Sequence, residues 1–170
     1  MAGDAGDDRV SDFLDQWAAV RPDLDVSPMG IIGRLSRAAE VTGRQVRAYF
    51  DQHGLSRSEF DVLATLRRSG APYRLTPGEL TAATMSSAAT VSNRLNDLER
   101  RALVTRQVDP ANRRSIQVSL TPAGLDLVDG IVEGHLANER TVLDGLTATE
   151  QAELARLLAK LLASLGDTRA

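Results

Sequence analysis

The sequence predicts a mainly α fold that carries one small β-hairpin, and three observations predict it. Apolar side chains recur at spacings of three and four in segment after segment from Val10 to Leu165, the period of helices with one buried face. Ser, Thr and Pro stand where most of those segments begin, as helix caps do. Only Val104–Val108 and Ser115–Leu120 read as strands, with Asp109-Pro110-Ala111-Asn112 supplying the turn between them. The 170 residues, 42% of them apolar, suit one domain of ordinary size with a real core.

Taken in order, residues 1–9 form a tail whose first seven positions are rich in Gly, Ala and Asp, a composition expected to stay disordered. Val10, Phe13, Leu14, Trp17 and Ala18 then predict a short amphipathic helix over 10–21, which stops before Pro22 because proline disfavours helical geometry in the residue preceding it. Trp17 is the only tryptophan, and by itself reads as an apolar anchor for this extension. Ser27-Pro28 opens the next helix; Ile31, Leu35, Val46, Tyr49 and Phe50 carry it to about Gln52, and Gly54 ends it. Ser56 and Glu59 form a capping box for a third helix, with Phe60, Val62, Leu63 and Leu66 inward. Asp61 interrupts that apolar run. A carboxylate is costly to bury unless paired, so either a basic partner is expected or Asp61 faces solvent at the positive end of its helix. Gly70-Ala71-Pro72 breaks the segment.

Thr76, Pro77 and Glu79 cap a short helix that ends near Ala83, and Ser86 or Ser87 caps the next. In that second helix Val91, Leu95 and Leu98 face inward, while Ser87, Thr90, Asn93, Arg94 and Asp97 face out. Two helices joined by a tight turn, the second polar outside, read as helix-turn-helix, and a hairpin directly after them makes a wing. From Arg94 to Arg114 six arginines stand against three carboxylates, on a chain of net charge −3. Such a patch of opposite sign is the footprint expected where phosphates dock. Ser86, Ser87, Thr90, Asn93 and Arg94 are therefore candidates for the major groove of double-stranded DNA. Arg113 and Arg114 are candidates at the wing tip, where arginine can enter a narrow minor groove.

Thr121-Pro122 opens a long helix with a predicted inner stripe of Leu125, Val128, Ile131, Val132, Leu136 and Leu143, and Thr147 with Glu150 caps a last helix bearing Leu154, Leu157, Leu158, Leu161, Leu162 and Leu165. So much apolar surface on a terminal helix needs a cover. The expected domain is residues 28–170, with a DNA-binding core over 56–120 flanked by dimerisation helices over 28–53 and 121–165. A twofold homodimer would present two recognition helices to a pseudo-palindromic operator about one DNA turn apart.

At SEFDVLATL, LTPGELTAATMSSAATVSNRLNDLERRALVTR, DPANRR and VSLTPAG the chain resembles the winged-helix regulators of the multiple-antibiotic-resistance regulator (MarR) family, over most of residues 28–165. Arg114 aligns with that family's recurrent wing arginine, and Asn112 departs from it where aspartate is common. Within the family the chain looks most like a subgroup with an added N-terminal helix and a urate-type ligand site. That resemblance implies a small anionic effector, urate or xanthine for instance, held by Arg94 and Arg106 beside Trp17, with Asp61 accepting from ring nitrogens or being displaced. Arg94 on the recognition helix and Arg106 on the first wing strand place this expected sensor on the inner side of the elements whose outer faces meet DNA. An anion bridging them then links effector and operator binding, the more so if Asp61 pairs with an arginine in the free protein.

Other function classes fare worse. With no cysteine, disulfides, thiol sensing and thiolate metal sites are excluded. His53 and His135 are the only histidines, and neither a Gly-rich phosphate loop nor a Gly-x-Ser-x-Gly elbow is present, so nothing nominates an enzyme, a catalytic residue or a cofactor. His135 and Glu139, one helical turn apart, offer too few ligands for zinc, though a metal-responsive or pH-responsive regulator without a purine ligand is the rival reading. There is no signal peptide and no run able to span a membrane, which makes the cytoplasm the expected location.

Overall fold

The computed structural model describes residues 8–84, 86–110 and 112–167; the first seven residues, with the disorder expected of them, lie outside these. Two compact units divide the chain, one ending at Gln45 and the other beginning at Val46. Helix α2, Ser27–Gln52, contributes to both.

In the first unit α1 spans Arg9–Val20. It starts one residue earlier than predicted because the Asp8 carboxylate caps it, accepting from the amides of Val10 and Ser11 at 3.0 and 2.9 Å. Asp8 also pairs with Arg34 at 2.8 Å, tying the cap to α2. Two glycines of α2 let the helices approach: a Cβ at Gly30 or Gly33 would lie 3.1 Å from Leu14 or Val10 respectively.

The second unit holds the winged helix. Helix α3, Arg57–Arg68, begins at the predicted capping box, in which Ser56 Oγ accepts from the Glu59 amide and Glu59 accepts from the Ser56 amide. Strand β1 (Arg74–Leu75), α4 (Pro77–Thr84), α5 (Ala88–Arg100), β2 (Val104–Val108), β3 (Ile116–Leu120), α6 (Pro122–Val142) and α7 (Ala148–Ser164) follow. The sheet has the order β1-β3-β2 with antiparallel pairing, Leu75 opposite Val118 and Arg106 opposite Val118 on the other side. Sequence periodicity did not predict β1, since a two-residue strand is too short to show alternation.

The core lies among Phe50, Leu55, Phe60, Leu63, Leu66, Leu80, Leu95, Leu98, Val104, Val118, Val128 and Ile131, all buried. Seven Leu or Val side chains from α3, α4, α5 and β3 reach 0–1% exposure, each worth about 1.5–3 kcal/mol of transfer free energy. The predicted inner stripe of α6 is narrower than expected. Val128 and Ile131 are buried, but Val132, Leu136 and Leu143 are exposed, as are Leu154, Leu157, Leu162 and Leu165 on α7 and Ile31 and Leu35 on α2. Within a single chain, periodicity reports a helix's apolar face without saying which partner covers it.

Helix α5 ends in a Schellman motif. The amide of Ala102 donates to Glu99 O and that of Leu103 to Leu98 O, both at 2.9 Å, with Ala102 in the left-handed region at φ 55°. Leu103 then enters β2. Its carbonyl accepts from the Thr121 amide at 3.1 Å, so the recognition helix, the wing root and the start of α6 meet at one residue.

Candidate nucleic-acid interface

Helix α5 is positioned by Ser87, whose hydroxyl accepts from the Thr90 amide at 3.2 Å, and by the burial of Val91, Leu95 and Leu98. Of the two serines predicted as its cap, Ser87 fills the role; Ser86 donates instead to the Thr84 carbonyl at 3.3 Å. The hydroxyls of Ser87 and Thr90 lie 2.9 Å apart, so capping leaves them as one polar pair at the helix start. Asn93 is exposed one turn further on. Thr90, Asn93, Arg94, Asn96, Asp97 and Arg100 line a polar recess of about 580 Å³ on α5. Arg94 thus opens on the same side as Thr90 and Asn93, the outward face on which the helical period put it.

The charges of this surface are partly neutralised from within. Asp97 bridges Arg94, at 3.6 Å, and Arg100. Glu99 faces Arg106 at 3.5 Å and also accepts from the Arg106 amide at 3.2 Å. Arg101 reaches back to Glu59 of the α3 capping box at 3.3 Å. Arg113 and Arg114 differ: both are exposed, and neither has an ion pair among the described residues. The wing end that holds them is braced by the Asp109 amide donating to Ser115 O at 2.9 Å and by Gln117 donating to the Asp109 carboxylate at 3.2 Å. Asn112 accepts from the Arg114 amide at 3.2 Å through its side-chain oxygen, a role an aspartate would fill equally.

The four residues expected around an anionic effector are distributed over both units. Trp17 stands on α1 in the first, two-fifths exposed, over a groove of about 550 Å³ lined by Val10, Phe13, Leu14 and Met29 with Arg9 and Arg37 near them. Asp61, Arg94 and Arg106 belong to the second. There the two arginines converge on the C-terminal half of α5, Arg94 through Asp97 and Arg106 through Asn96 and Glu99. The Nε of each is buried and makes no hydrogen bond among the described residues, although that of Arg106 lies 3.5 Å from a Glu99 oxygen; buried donors of this kind are rare.

Among the described residues Asp61 has no ion pair, so of its two expected settings the direct basic partner is not the one present. Burial pushes its carboxyl above the ordinary carboxylate range, opposed by the charges of Arg57, Arg68 and His135. The basic neighbourhood inferred from sequence is there; the direct contact is not. His135 packs its ring against Phe50 and Phe60, with centroids 4.8 and 5.1 Å away, and places Nε2 3.3 Å from Glu139. Among the described residues no group of three His, Cys, Asp or Glu gathers as a metal site would require.

Asn96, whose side-chain oxygen accepts from Arg106 at 2.7 Å, is a residue that sequence reasoning missed. Its spacing of three from Asn93 and four from Arg100 was a visible signal of the outward polar face.

Comparison with known proteins accords with this geometry. A model described as the MarR family matches residues 53–115. The chain is 41% identical over 151 residues to the HTH-type transcriptional regulator PecS of Dickeya dadantii (strain 3937), covering 89% of this chain and 91% of that protein. Its fold is similar to that of AbsC, a MarR family transcriptional regulator from Streptomyces coelicolor, with TM-score 0.76 at 22% identity over 85% of this chain and 98% of the other. It is also similar to Bordetella bronchiseptica BpsR, whose DNA binding is regulated by 6-hydroxynicotinic acid, with TM-score 0.68 at 29% identity over 75% and 89% of the two chains.

Proposed function

Because the chain belongs to the MarR family of DNA-binding, ligand-responsive transcription regulators, which are not enzymes, we propose that it is a sequence-specific cytoplasmic repressor. Its hold on a pseudo-palindromic double-stranded operator is weakened by a small anionic ligand, urate or a related purine such as xanthine. The wing tip carries the DNA half of this reading. Arg113 and Arg114 are exposed cations without a carboxylate partner among the described residues, on a chain of net charge −3, and they supply the phosphate-facing charge that the internally paired Arg94, Arg100 and Arg106 do not. Ser87, Thr90 and Asn93 face the bases from α5, Ser86 and Arg94 lie beside them, and a homodimer presents two such units.

The buried Nε–H groups of Arg94 and Arg106, neither hydrogen-bonded among the described residues, support the effector half. An anion that supplies acceptors to both draws on α5 and on β2 at once. Those are the elements whose relative placement DNA binding requires, so the ligand shifts the population away from the operator-competent form. Asp61, with its carboxyl already pushed up by burial, accepts from a ring N–H or yields to the ligand's charge. The resemblance assigns Trp17 to this ligand as well.

The test is binding to DNA from upstream of the protein's own coding sequence, with and without urate, xanthine and citrate. Urate or xanthine is expected to raise the apparent Kd, and Asp61→Ala to blunt that response. Specific DNA binding untouched by all three anions would remove the effector half and leave the DNA half standing.

A further inference from the structure

The wing has a firm root and a firm tip; between them β3 pairs with β1 at Val118 and Ser119, and β2 is tied to the recognition helix through Arg106. At the root, Leu103 and Val104 are buried and the Leu103 amide is bonded to α5. At the tip, Asp109 joins Ser115 and Gln117 across the turn, while Val108 and Ile116, paired across the strands beside it, are 58% and 47% exposed. Arg106 lies halfway along β2 and is the last wing residue bonded to α5 among the described residues. Its Nη2 donates to Asn96 at 2.7 Å, its amide donates to Glu99 at 3.2 Å, and its guanidinium faces the other Glu99 oxygen at 3.5 Å. The Arg106 side chain is about one quarter exposed, less than the arginines of the other ion pairs among the described residues.

We propose that Asn96 and Glu99 are positioning residues for DNA binding: through Arg106 they set the angle between recognition helix and wing, and so aim Arg114 into the minor groove while α5 occupies the major groove. Asn96 stands on the outward polar face and has the side-chain type that reads adenine. Its carbonyl oxygen, one half of that bidentate contact, is already taken by Arg106. Glu99 is an acidic residue on a face that approaches phosphate, and neutralisation by Arg106 makes it tolerable there. A wing released from this tie keeps its root, its tip and the pairing of β3 with β1 but samples more directions relative to α5, so the minor-groove contact carries an ordering cost that the native chain has already met. This inference needs DNA binding alone and is independent of any effector.

A double-mutant cycle tests it, using a palindromic DNA selected by the full-length wild-type protein from a random pool, with no small molecule present. Arg114→Ala is expected to weaken binding about tenfold in the wild-type background and less than about threefold in Asn96→Ala and in Glu99→Gln, since a wing that is no longer aimed has less to lose. Hydroxyl-radical protection at the flanks of the site should fade in both clamp variants, while protection of major-groove guanines persists. If Asn96 is instead a direct base contact, Arg114→Ala costs the same factor in every background and flank protection is retained; that result overturns the proposal. Glu99→Gln adds one net positive charge by leaving Arg106 uncompensated, a change common to both arms of the cycle, and it carries the test alone if Asn96→Ala melts early.

Discussion

Gly124 sits in the first turn of α6 against the point where the recognition helix becomes the wing. A side chain there has no room. A Cβ on Gly124 would overlap the Leu103 carbonyl oxygen and lie 2.9 Å from the carbonyl carbon and 3.3 Å from the Leu103 Cα. The obstacle is backbone, so no rotamer change relieves it, and the two chains must part by about 1 Å or more to reach ordinary separation. Overpacking alone costs about 1–3 kcal/mol. Parting also strains the Thr121 amide and hydroxyl bonds to Leu103 O, at 3.1 and 3.2 Å, each worth about 1 kcal/mol net. Helix propensity returns about 1 kcal/mol. Gly124→Ala should therefore destabilise the protein by about 2–4 kcal/mol. Gly130→Ala, in the same helix with nothing within 4 Å of its Cβ, should be neutral or stabilising by up to about 1 kcal/mol. Urea denaturation followed by circular dichroism at one fixed protein concentration compares them. If the two variants unfold within about 0.5 kcal/mol of each other, the close approach at Leu103 is not what excludes a side chain there.

Asp61→Asn should stabilise the protein at pH 7. The folded carboxyl titrates above its ordinary value of 3.8, so ionisation is unfavourable in the fold, and wild type loses stability as pH rises from about 3.8 through the raised value. Denaturation curves of the two proteins should converge below pH 4; an unchanged gap there means that the difference does not come from Asp61 titration. Arg114→Ala should lower the slope of log K against log salt by about 1, and an unaltered slope takes Arg114 out of the phosphate-facing set. Ala102→Gly should stabilise the fold by about 1 kcal/mol, because the left-handed φ of 55° strains any residue with a Cβ. Thermal melts check it, and a lower melting temperature contradicts the Schellman reading.

The fold was legible wherever a local rule sufficed. Ser56, Ser87, Thr121 and Thr147 cap the helices they were expected to cap, because capping depends only on residues within one turn. The strand pair Val104–Val108 and Ile116–Leu120 followed from alternation and the Asp109–Asn112 turn for the same reason. Strand β1 escaped notice because Arg74–Leu75 becomes a strand only through pairing with Val118 and Ser119, more than forty residues away. Site geometry was less legible. That Arg106 would choose Asn96 and Glu99, and that Asp61 would sit among cations without touching one, depends on side-chain directions set by tertiary packing. Residue types predicted a charged corner; they did not predict which arginines would be neutralised there and which would stay bare at the tip.

The leucines left uncovered on α7, together with Val132 and Leu136 on α6, carry a quantitative consequence. With a second copy of the chain as their cover, as the proposed homodimer requires, only assembled pairs present two recognition helices. Below the dimer dissociation constant the concentration of pairs grows as the square of the amount of chain. Operator occupancy then climbs more steeply than for a monomeric binder, and halving expression cuts occupancy by up to fourfold. The apolar faces would thus act as a threshold on gene dosage, making the amount of regulator in the cell an input alongside its ligand.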